Sequence, residues 1–257
     1  MRIGVPTEIK PFEGRVGLTP SAVGDLIKCG CKVSVQKGAG VKSGYSDSCY
    51  LRSGAELAED AEALFGGAEL IVKVKEPVEN DLRYLKASHL LFCYLHLAAN
   101  PALTQSLQHT GLTAVGFETV EEAGRLPLLA PMSQIAGRVA VQAGAQRLHC
   151  SRGGKGVLLG GVPGTPKGKV IVLGAGVAGT NAAIMAAGMG ADVMVFDNKP
   201  EALRRARKAE LRVIAAPDQG AVRARPHALL DAVALPASAP PTAAALTRGA
   251  RERSKLT

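Results

Sequence analysis

The sequence contains no tryptophan, and aromatic residues make up only 4% of its 257 positions. Proteins that bind single-stranded nucleic acid use aromatic side chains for base stacking, so this composition argues against that function. The net charge of +9 does not reverse the argument, because residues 206–257 hold nine Lys or Arg against four Asp or Glu. We expect a solvated basic segment there and no nucleic-acid partner.

Long hydrophobic runs are also missing, since no stretch approaches the roughly 20 apolar residues that a membrane-spanning helix requires. The opening MRIGVPTEIK lacks the apolar core and the cleavage site of a signal peptide. The five cysteines are an odd number at irregular spacing, which favours reduced thiols over a disulfide framework. Cys29 and Cys31 have no second cysteine pair or histidine cluster to complete a zinc site. We therefore expect a cytoplasmic protein with no membrane partner and no metal.

Hydrophobic residues are abundant, at 47%, which is enough for one large domain or two ordinary ones. Short apolar runs in the first 125 residues predict strands over 2–6, 32–36, 69–74, 89–95 and 113–118. Most of these runs are continuously apolar, which is typical of strands buried on both faces of a parallel sheet. The sequence thus predicts an α/β fold with two lobes, the first built on a parallel sheet.

Helical patterns alternate with these strands. A helix is predicted to start at Thr19-Pro20, and others are predicted over 59–66, 79–86, 101–110 and 133–148. Residues 153–169 contain seven glycines and two prolines and predict a hinge. We expect four segments: a substrate lobe (1–132), a connecting helix and hinge (133–169), the first half of a Rossmann dinucleotide-binding domain (170–215) and a compositionally biased, disordered tail (216–257).

A glycine fingerprint lies at the start of the second lobe. The strand VIVL runs into Gly174-Ala175-Gly176-Val177-Ala178-Gly179, which opens a helix, and the next strand ends at Asp197. These glycines permit a tight turn, a close backbone approach to a pyrophosphate and close packing of helix on strand. The carboxylate of Asp197 can accept ribose hydroxyls and would repel a 2′-phosphate, so the motif favours NAD over NADP. A glycine-rich turn with no ligand is the alternative.

Three residues of the first lobe could form a site for a small 2-oxo acid. Arg15 follows the first strand, and Lys75 and His96 are predicted to end the third and fourth. Parallel strands share one carboxyl edge, where open α/β sheets bind ligands. The alternatives remain open: a surface ion pair for Arg15, a solvated edge position for Lys75 and a core histidine for His96.

Several long strings carry a family resemblance over residues 1 to about 205. They are GVPTEIKPFEGRVGLTP, IVKVKEP, FCYLHLAANP, APMSQIAGR, GGKGVLLGGVPG and GAGVAGTNAA. With them the chain resembles the alanine dehydrogenase/pyridine nucleotide transhydrogenase family, and the alanine dehydrogenases more than the transhydrogenase α subunit. The resemblance implies NAD-dependent oxidative deamination of L-alanine to pyruvate and ammonium, and the reverse reaction.

The same resemblance implies residue roles. Arg15 and Lys75 would hold the substrate carboxylate, and His96, with Lys75 beside it, would form the catalytic pair. Ser133 would face the cofactor as a helix N-cap, and Glu118 matches a position near the cleft. Members of the family assemble as homo-oligomers, specifically hexamers. A transhydrogenase-like NAD(H)-binding subunit and a non-catalytic nucleotide-binding remnant are the alternative functions.

Beyond about Arg205 the resemblance is expected to end. Residues 206–257 contain fifteen alanines, seven arginines, five prolines and no aromatic residue. No position there matches the acid that the family carries late in its nucleotide domain. We therefore expect a truncated or frame-shifted member of the family with low turnover.

Overall fold

The computed structural model describes residues 1–208 and 211–215, which fall into two compact units. The first spans Met1–Leu129, and the second begins at Ala130. Each unit contains a sheet in which every strand pair is parallel. This confirms the predicted α/β class.

The sheet of the first unit has six strands in the order β3-β2-β1-β4-β5-β6. Their bounds are β1 Arg2–Val5, β2 Lys32–Gln36, β3 Glu56–Ala58, β4 Leu70–Val72, β5 Leu90–Cys93 and β6 Thr113–Gly116. The central strands are β1 and β4, and the register pairs Ile3 with Leu70 and Cys93 with Gly116. Because all the strands run in one direction, the loops after β1, β4, β5 and β6 leave from the same edge.

Both faces of this sheet are covered, as the continuous apolar runs predicted. Ile71 packs in one core cluster with Leu64 and Leu91, whereas the adjacent Val72 packs in another with Val5. Consecutive residues of a strand point to opposite faces, so two neighbouring buried residues require a core on each side. Ile71 is fully buried and Val72 is only 4% exposed, which shows that neither face of β4 meets solvent.

Five α-helices surround the sheet. They are α1 Pro20–Lys28, α2 Asp47–Arg52, α3 Ala61–Gly67, α4 Glu79–Leu82 and α5 Pro101–Thr110. The Thr19 side chain caps α1 and that of Asn100 caps α5, each with a proline following in the first turn. The sequence pattern did not predict α2 or β3, because elements of six and three residues are too short to show a clear hydrophobic period. The predicted helix over 79–86 ends earlier, at Leu82.

The second unit contains α6 Leu129–Arg147, which starts at the unit boundary, β7 Lys169–Leu173, α7 Val177–Gly188, β8 Asp192–Asp197, α8 Pro200–Lys208 and β9 Arg212–Ala215. Its strands follow the order β7-β8-β9. A methyl group at Gly137 would lie 2.1 Å from the Ala178 carbonyl oxygen, so α6 and α7 touch through their backbones. The expected short strand at LRVIAA is present as β9, whereas the helical pattern at 227–235 lies outside the described residues.

Two kinds of feature are absent from the residues that the structure describes. Residues 1–208 and 211–215 contain no helix that is long and apolar enough to span a membrane. Within the same ranges, no group of three or more His, Cys, Asp or Glu side chains is placed to hold a metal ion.

Candidate active site

The loop that follows β1 lies against the segment that follows β4. A methyl group at Gly17 would approach the Val72 carbonyl oxygen to 2.6 Å, so only glycine lets the two backbones meet there. From the same loop, the buried Glu8 carboxylate accepts the backbone N–H groups of Val74 at 2.6 Å and Lys75 at 3.4 Å. These contacts fix the loop that carries Arg15 beside the segment that carries Lys75.

The Arg15 side chain is held by Glu13. Its Nε donates to Glu13 Oε1 at 2.8 Å and its Nη2 to Oε2 at 2.6 Å, and its backbone N–H donates to Oε1 at 2.9 Å. The Arg15 hydrogen bonds lower the pKa of the Glu13 carboxyl to about 2 against the opposing effect of burial, and Lys75 lowers it further. Glu13 therefore lies within the electrostatic reach of both cations.

A buried ionic cluster lies beneath Lys75. Lys73 is 1% exposed, and its ammonium nitrogen lies 3.2 Å from Asp81 Oδ2 and 3.6 Å from Glu8 Oε2. Burial raises the pKa of Glu8, while Lys73 and the backbone N–H groups of Val74 and Lys75 oppose that rise. The cluster thus supplies a counter-ion to the carboxylate that binds the Lys75 backbone.

His96 lies three residues beyond β5 in a left-handed backbone conformation, with φ 51° and ψ 36°. Its backbone N–H donates to Glu118 Oε1 at 2.6 Å. Its imidazole stacks on the Tyr94 ring, with 5.9 Å between centroids and 8° between planes. Burial raises the pKa of Tyr94, and Arg15 acts in the opposite direction, so Tyr94 lies near both Arg15 and His96.

The structure brings Arg15, Lys75 and His96 together at one edge of the sheet. Arg15 and Lys75 both act on Glu13, and His96 acts on Glu76, which follows Lys75 in the chain. The pKa of Glu76 is lowered: burial acts to raise it, but its ion pair with Lys10, its own backbone N–H and His96 together outweigh burial. One detail of the prediction was wrong, because β4 ends at Val72 and β5 at Cys93, so Lys75 and His96 lie in the following loops. The N–H groups of Lys75 and His96 there bind Glu8 and Glu118, although the two segments still share one bond, from the Tyr94 N–H to the Val74 carbonyl.

Sequence reasoning missed the residues that hold this trio, namely Glu8, Glu13, Lys73 and Tyr94. One signal was available, since both glutamates follow β1 just as Arg15 does and therefore belong to the ligand-binding edge. Nothing in the sequence indicates that Lys73 is buried, because the pattern VKVK is the same for a solvated lysine and for an enclosed one.

The glycine turn of the second unit has the backbone that its sequence predicted. Gly174 has φ 103°, a value that side chains disfavour, and its N–H donates to the Phe196 carbonyl at 2.7 Å. A methyl group at Gly179 would lie 1.8 Å from the Gly174 carbonyl oxygen, so this glycine is required for helix α7 to approach β7. Gly176 is the N-cap of α7 and has no side chain to satisfy the first amides of the helix, those of Val177, Ala178 and Gly179.

Asp197, at the end of β8, faces this turn. Its Oδ2 accepts the Ala175 N–H at 2.6 Å and its Oδ1 accepts the Lys199 N–H at 2.7 Å. Each carboxylate oxygen has two acceptor sites, so both retain capacity for hydroxyl groups. Asp197 therefore supports the shape of the glycine turn and also presents acceptors at its mouth.

Ser133 does not occupy its predicted place as a helix N-cap. Helix α6 begins at Leu129, one turn earlier, so Ser133 is an interior residue of the helix and half-buried. The earlier start is compatible with Pro131, because a proline in the first turn forfeits no helical hydrogen bond.

Comparison with known proteins places the whole described chain in one group. The protein-family model "Alanine dehydrogenase/PNT, N-terminal domain" matches residues 4–136. A second family model, "Alanine dehydrogenase/PNT, C-terminal domain", matches residues 140–241. The second match extends beyond Arg205, where we expected the resemblance to end.

Curated relatives agree. The chain is 51% identical over 204 residues to alanine dehydrogenase from Bacillus subtilis, covering 79% of this chain and 54% of that protein. It is 50% identical over 206 residues to the enzyme of the same name from Mycolicibacterium smegmatis, covering 80% and 56%. The chain thus spans about half the length of the curated relatives it matches.

Solved structures give the same result. An L-alanine dehydrogenase structure matches with a TM-score of 0.78 and 46% identity, over 84% of this chain and 61% of the other. The transhydrogenase from Sinorhizobium meliloti matches with a TM-score of 0.75 and 25% identity, over 91% and 66%.

Proposed function

The chain belongs to the alanine dehydrogenase/pyridine nucleotide transhydrogenase family, and on that premise we propose that it carries the site for NAD-dependent oxidative deamination of L-alanine. L-alanine, water and NAD⁺ give pyruvate, ammonium, NADH and a proton, and the reaction also runs in reverse. The observation that carries this proposal is the meeting of Arg15, Lys75 and His96 at one sheet edge.

Arg15 and Lys75 bind the carboxylate of alanine or pyruvate. A guanidinium fixes a carboxylate by directed hydrogen bonds, and an ammonium adds a compact positive charge. Glu13 orients the Arg15 side chain, and Glu8 fixes the Lys75 backbone, so the guanidinium and the segment that carries the ammonium are held before substrate arrives. Such preorganisation reduces the entropy lost on binding and lowers the barrier to reaction.

His96 handles the proton on the oxygen that is bonded to the reacting carbon. Its imidazole donates a hydrogen bond to the carbonyl oxygen of pyruvate and, in the deamination direction, takes a proton from the water that attacks the imine. Imidazole suits this task because its ordinary titration range lies near neutral pH. Lys75 adds positive charge beside it and favours the developing anion.

The glycine turn fits a dinucleotide. A methyl group at Gly176 would meet no protein atom within 4 Å, and its φ of −70° suits any residue, so protein packing does not explain the glycine. A pyrophosphate approaching the backbone does explain it. The amides of Val177, Ala178 and Gly179 would bind phosphate oxygens, Asp197 the ribose hydroxyls, and Ser133 would face the cofactor. When bound, NAD supplies the hydride acceptor.

A transhydrogenase-like NAD(H)-binding role is the second candidate. The structural match to the Sinorhizobium meliloti transhydrogenase favours it, because that match covers 91% of this chain. The two functions differ in substrate, since only the first needs a site for a 2-oxo acid. Alanine-dependent NADH formation therefore decides between them.

We propose that the chain also self-associates, as a hexamer, and that it acts in the cytoplasm. Support for association comes from helix α6, where Ile135 and Val139 are 57% and 52% exposed. Apolar side chains one helical turn apart form a stripe that a second copy can cover. Sedimentation velocity of the purified chain tests this, and a monomer at all concentrations would contradict it.

The decisive experiment combines turnover with binding. The purified chain is assayed with L-alanine and NAD⁺, and calorimetry measures NADH, NADPH and pyruvate binding. We expect NADH formation at a low rate, tighter binding of NADH than of NADPH, and loss of turnover in His96→Asn with NADH binding retained. His109→Asn is the matched control, because His109 is an exposed residue of α5. Nucleotide binding without alanine turnover would favour the transhydrogenase-like role or a non-catalytic nucleotide-binding remnant, and unchanged turnover in His96→Asn would exclude the assigned role.

A further inference from the structure

The backbone of His96 is unusual for its residue type. Among the described residues, three other than glycine have positive φ: Phe12, His96 and Ala123. Of these, His96 is the one whose side chain takes part in the proposed reaction. The left-handed conformation is uncommon outside glycine, although histidine is among the residue types enriched there. A conformation of this kind persists only where surrounding contacts enforce it.

Glu118 binds the backbone that leads into His96. Its Oε1 accepts the His96 N–H at 2.6 Å, and the preceding N–H of Leu95 is shared between Oε1 at 3.1 Å and Oε2 at 3.2 Å. Two consecutive amides directed at one anion form a backbone nest, which here is filled by a carboxylate of the same chain. The dihedral angles of Leu95 set the relative direction of the two amides, and their bonds to Glu118 fix the peptide plane that leads into His96.

The position of Glu118 is itself well defined. It lies in the short 3₁₀ turn Phe117–Thr119, directly after β6, and β6 is hydrogen-bonded to β5 along the register that ends at Cys93 and Gly116. The neighbouring Phe117 packs edge-on against Tyr94, with 5.1 Å between ring centroids. The turn after β6 therefore contacts both the backbone and the aromatic partner of His96.

The His96 ring takes its direction from this arrangement. Tyr94, on which the imidazole stacks, is fixed by a hydrogen bond from its hydroxyl to the Leu128 carbonyl at 2.7 Å. A different φ at residue 96 would rotate the bond from Cα to Cβ and move the imidazole off the Tyr94 face. The direction of the imidazole is thus set by the peptide plane that Glu118 fixes before His96 and by the Tyr94 ring on which the imidazole stacks.

We infer that Glu118 is a positioning residue that fixes the peptide plane preceding His96 and so aims the imidazole at the substrate. The inference rests on the proposed function for the identity of that substrate. The positioning itself concerns only atoms of this chain and is testable without any turnover.

The first test measures the bonds in the full chain by NMR. In the wild type we expect through-hydrogen-bond couplings from the Leu95 and His96 amide nitrogens to the Glu118 carboxylate carbon, and a ring-current shift of the His96 ring protons by Tyr94. In Glu118→Gln we expect about tenfold faster hydrogen exchange at both amides, because charge-assisted bonds become neutral ones. The His96 ring shift should move towards its unstacked value.

The matched control is Glu69→Gln. Glu69 also accepts a backbone N–H, from Arg2 at 2.8 Å, but lies at the opposite end of β4 from the site. It should leave the signals of Leu95 and His96 unchanged. If Glu118→Gln does not fold, the wild-type couplings decide the question alone, and their absence would overturn the inference. Unchanged exchange and unchanged ring shifts in a folded Glu118→Gln would also overturn it.

The second test separates positioning from substrate binding. With pyruvate, ammonium and NADH, Glu118→Gln should lower kcat by about tenfold or more while the pyruvate KM changes less than about twofold, because Arg15 and Lys75 are held by other acids. Glu118→Asp should restore part of the lost kcat, since it keeps the charge. Equal loss in kcat and rise in KM would overturn the inference as a positioning role. A wild-type chain without turnover would count against the proposed function, and the NMR result would then decide the inference.

Discussion

In each unit the candidate site lies at the carboxyl ends of the parallel strands, but the chemical groups that bind the ligand differ between the two units. At the carboxyl edge of the first sheet, the binding groups are ionisable side chains. A carboxylate supports each of them: Glu13 binds the Arg15 side chain, Glu8 the Lys75 backbone and Glu118 the His96 backbone. In the second unit, the binding groups are the first backbone amides of α7, and Gly174, Gly176 and Gly179 shape the turn that presents them. Two of the three supports of the first site therefore come from residues far along the chain, whereas the glycines of the second site lie within six residues and take one distant support, from Asp197.

The buried lysine of the first unit gives the sharpest test of that dependence. Lys73→Met leaves Glu8 and Asp81 enclosed without their cation, and we expect a loss of about 3–5 kcal/mol in the free energy of unfolding, measured by urea denaturation. The control Lys28→Met removes an exposed pair with Asp25 and should cost less than about 1 kcal/mol. A loss of similar size in both variants would mean that the buried cluster does not support the first unit.

Gly179→Ala tests the backbone site by overpacking. The added methyl group would meet the Gly174 carbonyl oxygen at 1.8 Å, so α7 must move away from β7. We expect about 3 kcal/mol of destabilisation of the second unit and loss of NADH binding, followed by denaturation and calorimetry. Retention of both stability and NADH affinity would show that the turn can open without cost.

The pair of Glu13 and Arg15 predicts a pH dependence with a definite sign. Because the Glu13 pKa is lowered to about 2 from an ordinary 4.5, the pair stabilises the folded state above about pH 4.5, and this stabilisation is lost as the pH falls towards 2. Glu13→Gln should lower the free energy of unfolding by about 2 kcal/mol at neutral pH. It should also reduce the further loss of stability below about pH 4.5. Arg15→Met should reduce the loss of stability below about pH 4.5 equally, because the lowered pKa of Glu13 depends on the guanidinium. An unaltered pH dependence of stability in either variant would contradict the role of this pair.

Gly176→Ala should have the smallest effect on stability and so separates binding from folding in the backbone site. Its methyl group would contact no protein atom within 4 Å, so the free energy of unfolding should change by less than about 1 kcal/mol. NADH affinity should nevertheless fall by about tenfold, because the methyl group would stand where the pyrophosphate approaches. Unchanged affinity in calorimetry would show that the dinucleotide does not bind at this turn.

The same difference between the two sites explains which features could be predicted from the sequence. The glycine turn was predicted residue by residue, because each glycine there answers a local requirement of φ or close approach. The strands of the first sheet were also predicted, since continuous apolar runs follow directly from burial on both faces. The short elements α2 and β3 were missed, because their length is below the period that a pattern needs.

The supporting acids of the first unit could not be predicted in the same way. Arg15 and Glu13 are two residues apart, but the pairing of Glu8 with Lys75 and of Glu118 with His96 joins residues 67 and 22 positions apart. Those pairings exist only once the order of the strands is known. Ser133 was misplaced for a related reason, since the start of α6 at Leu129 depends on where the first unit ends.

The left-handed backbone at His96 restricts which replacements are informative there. A β-branched residue would lose the imidazole and also oppose the local geometry, so two defects would be confounded. Asparagine and glycine accept the same φ, and they remove the ring alone. A saturation library at position 96, sorted first for expression and then for alanine consumption, should therefore show two separate filters: a broad structural one that asparagine and glycine pass, and a narrow chemical one that histidine alone passes.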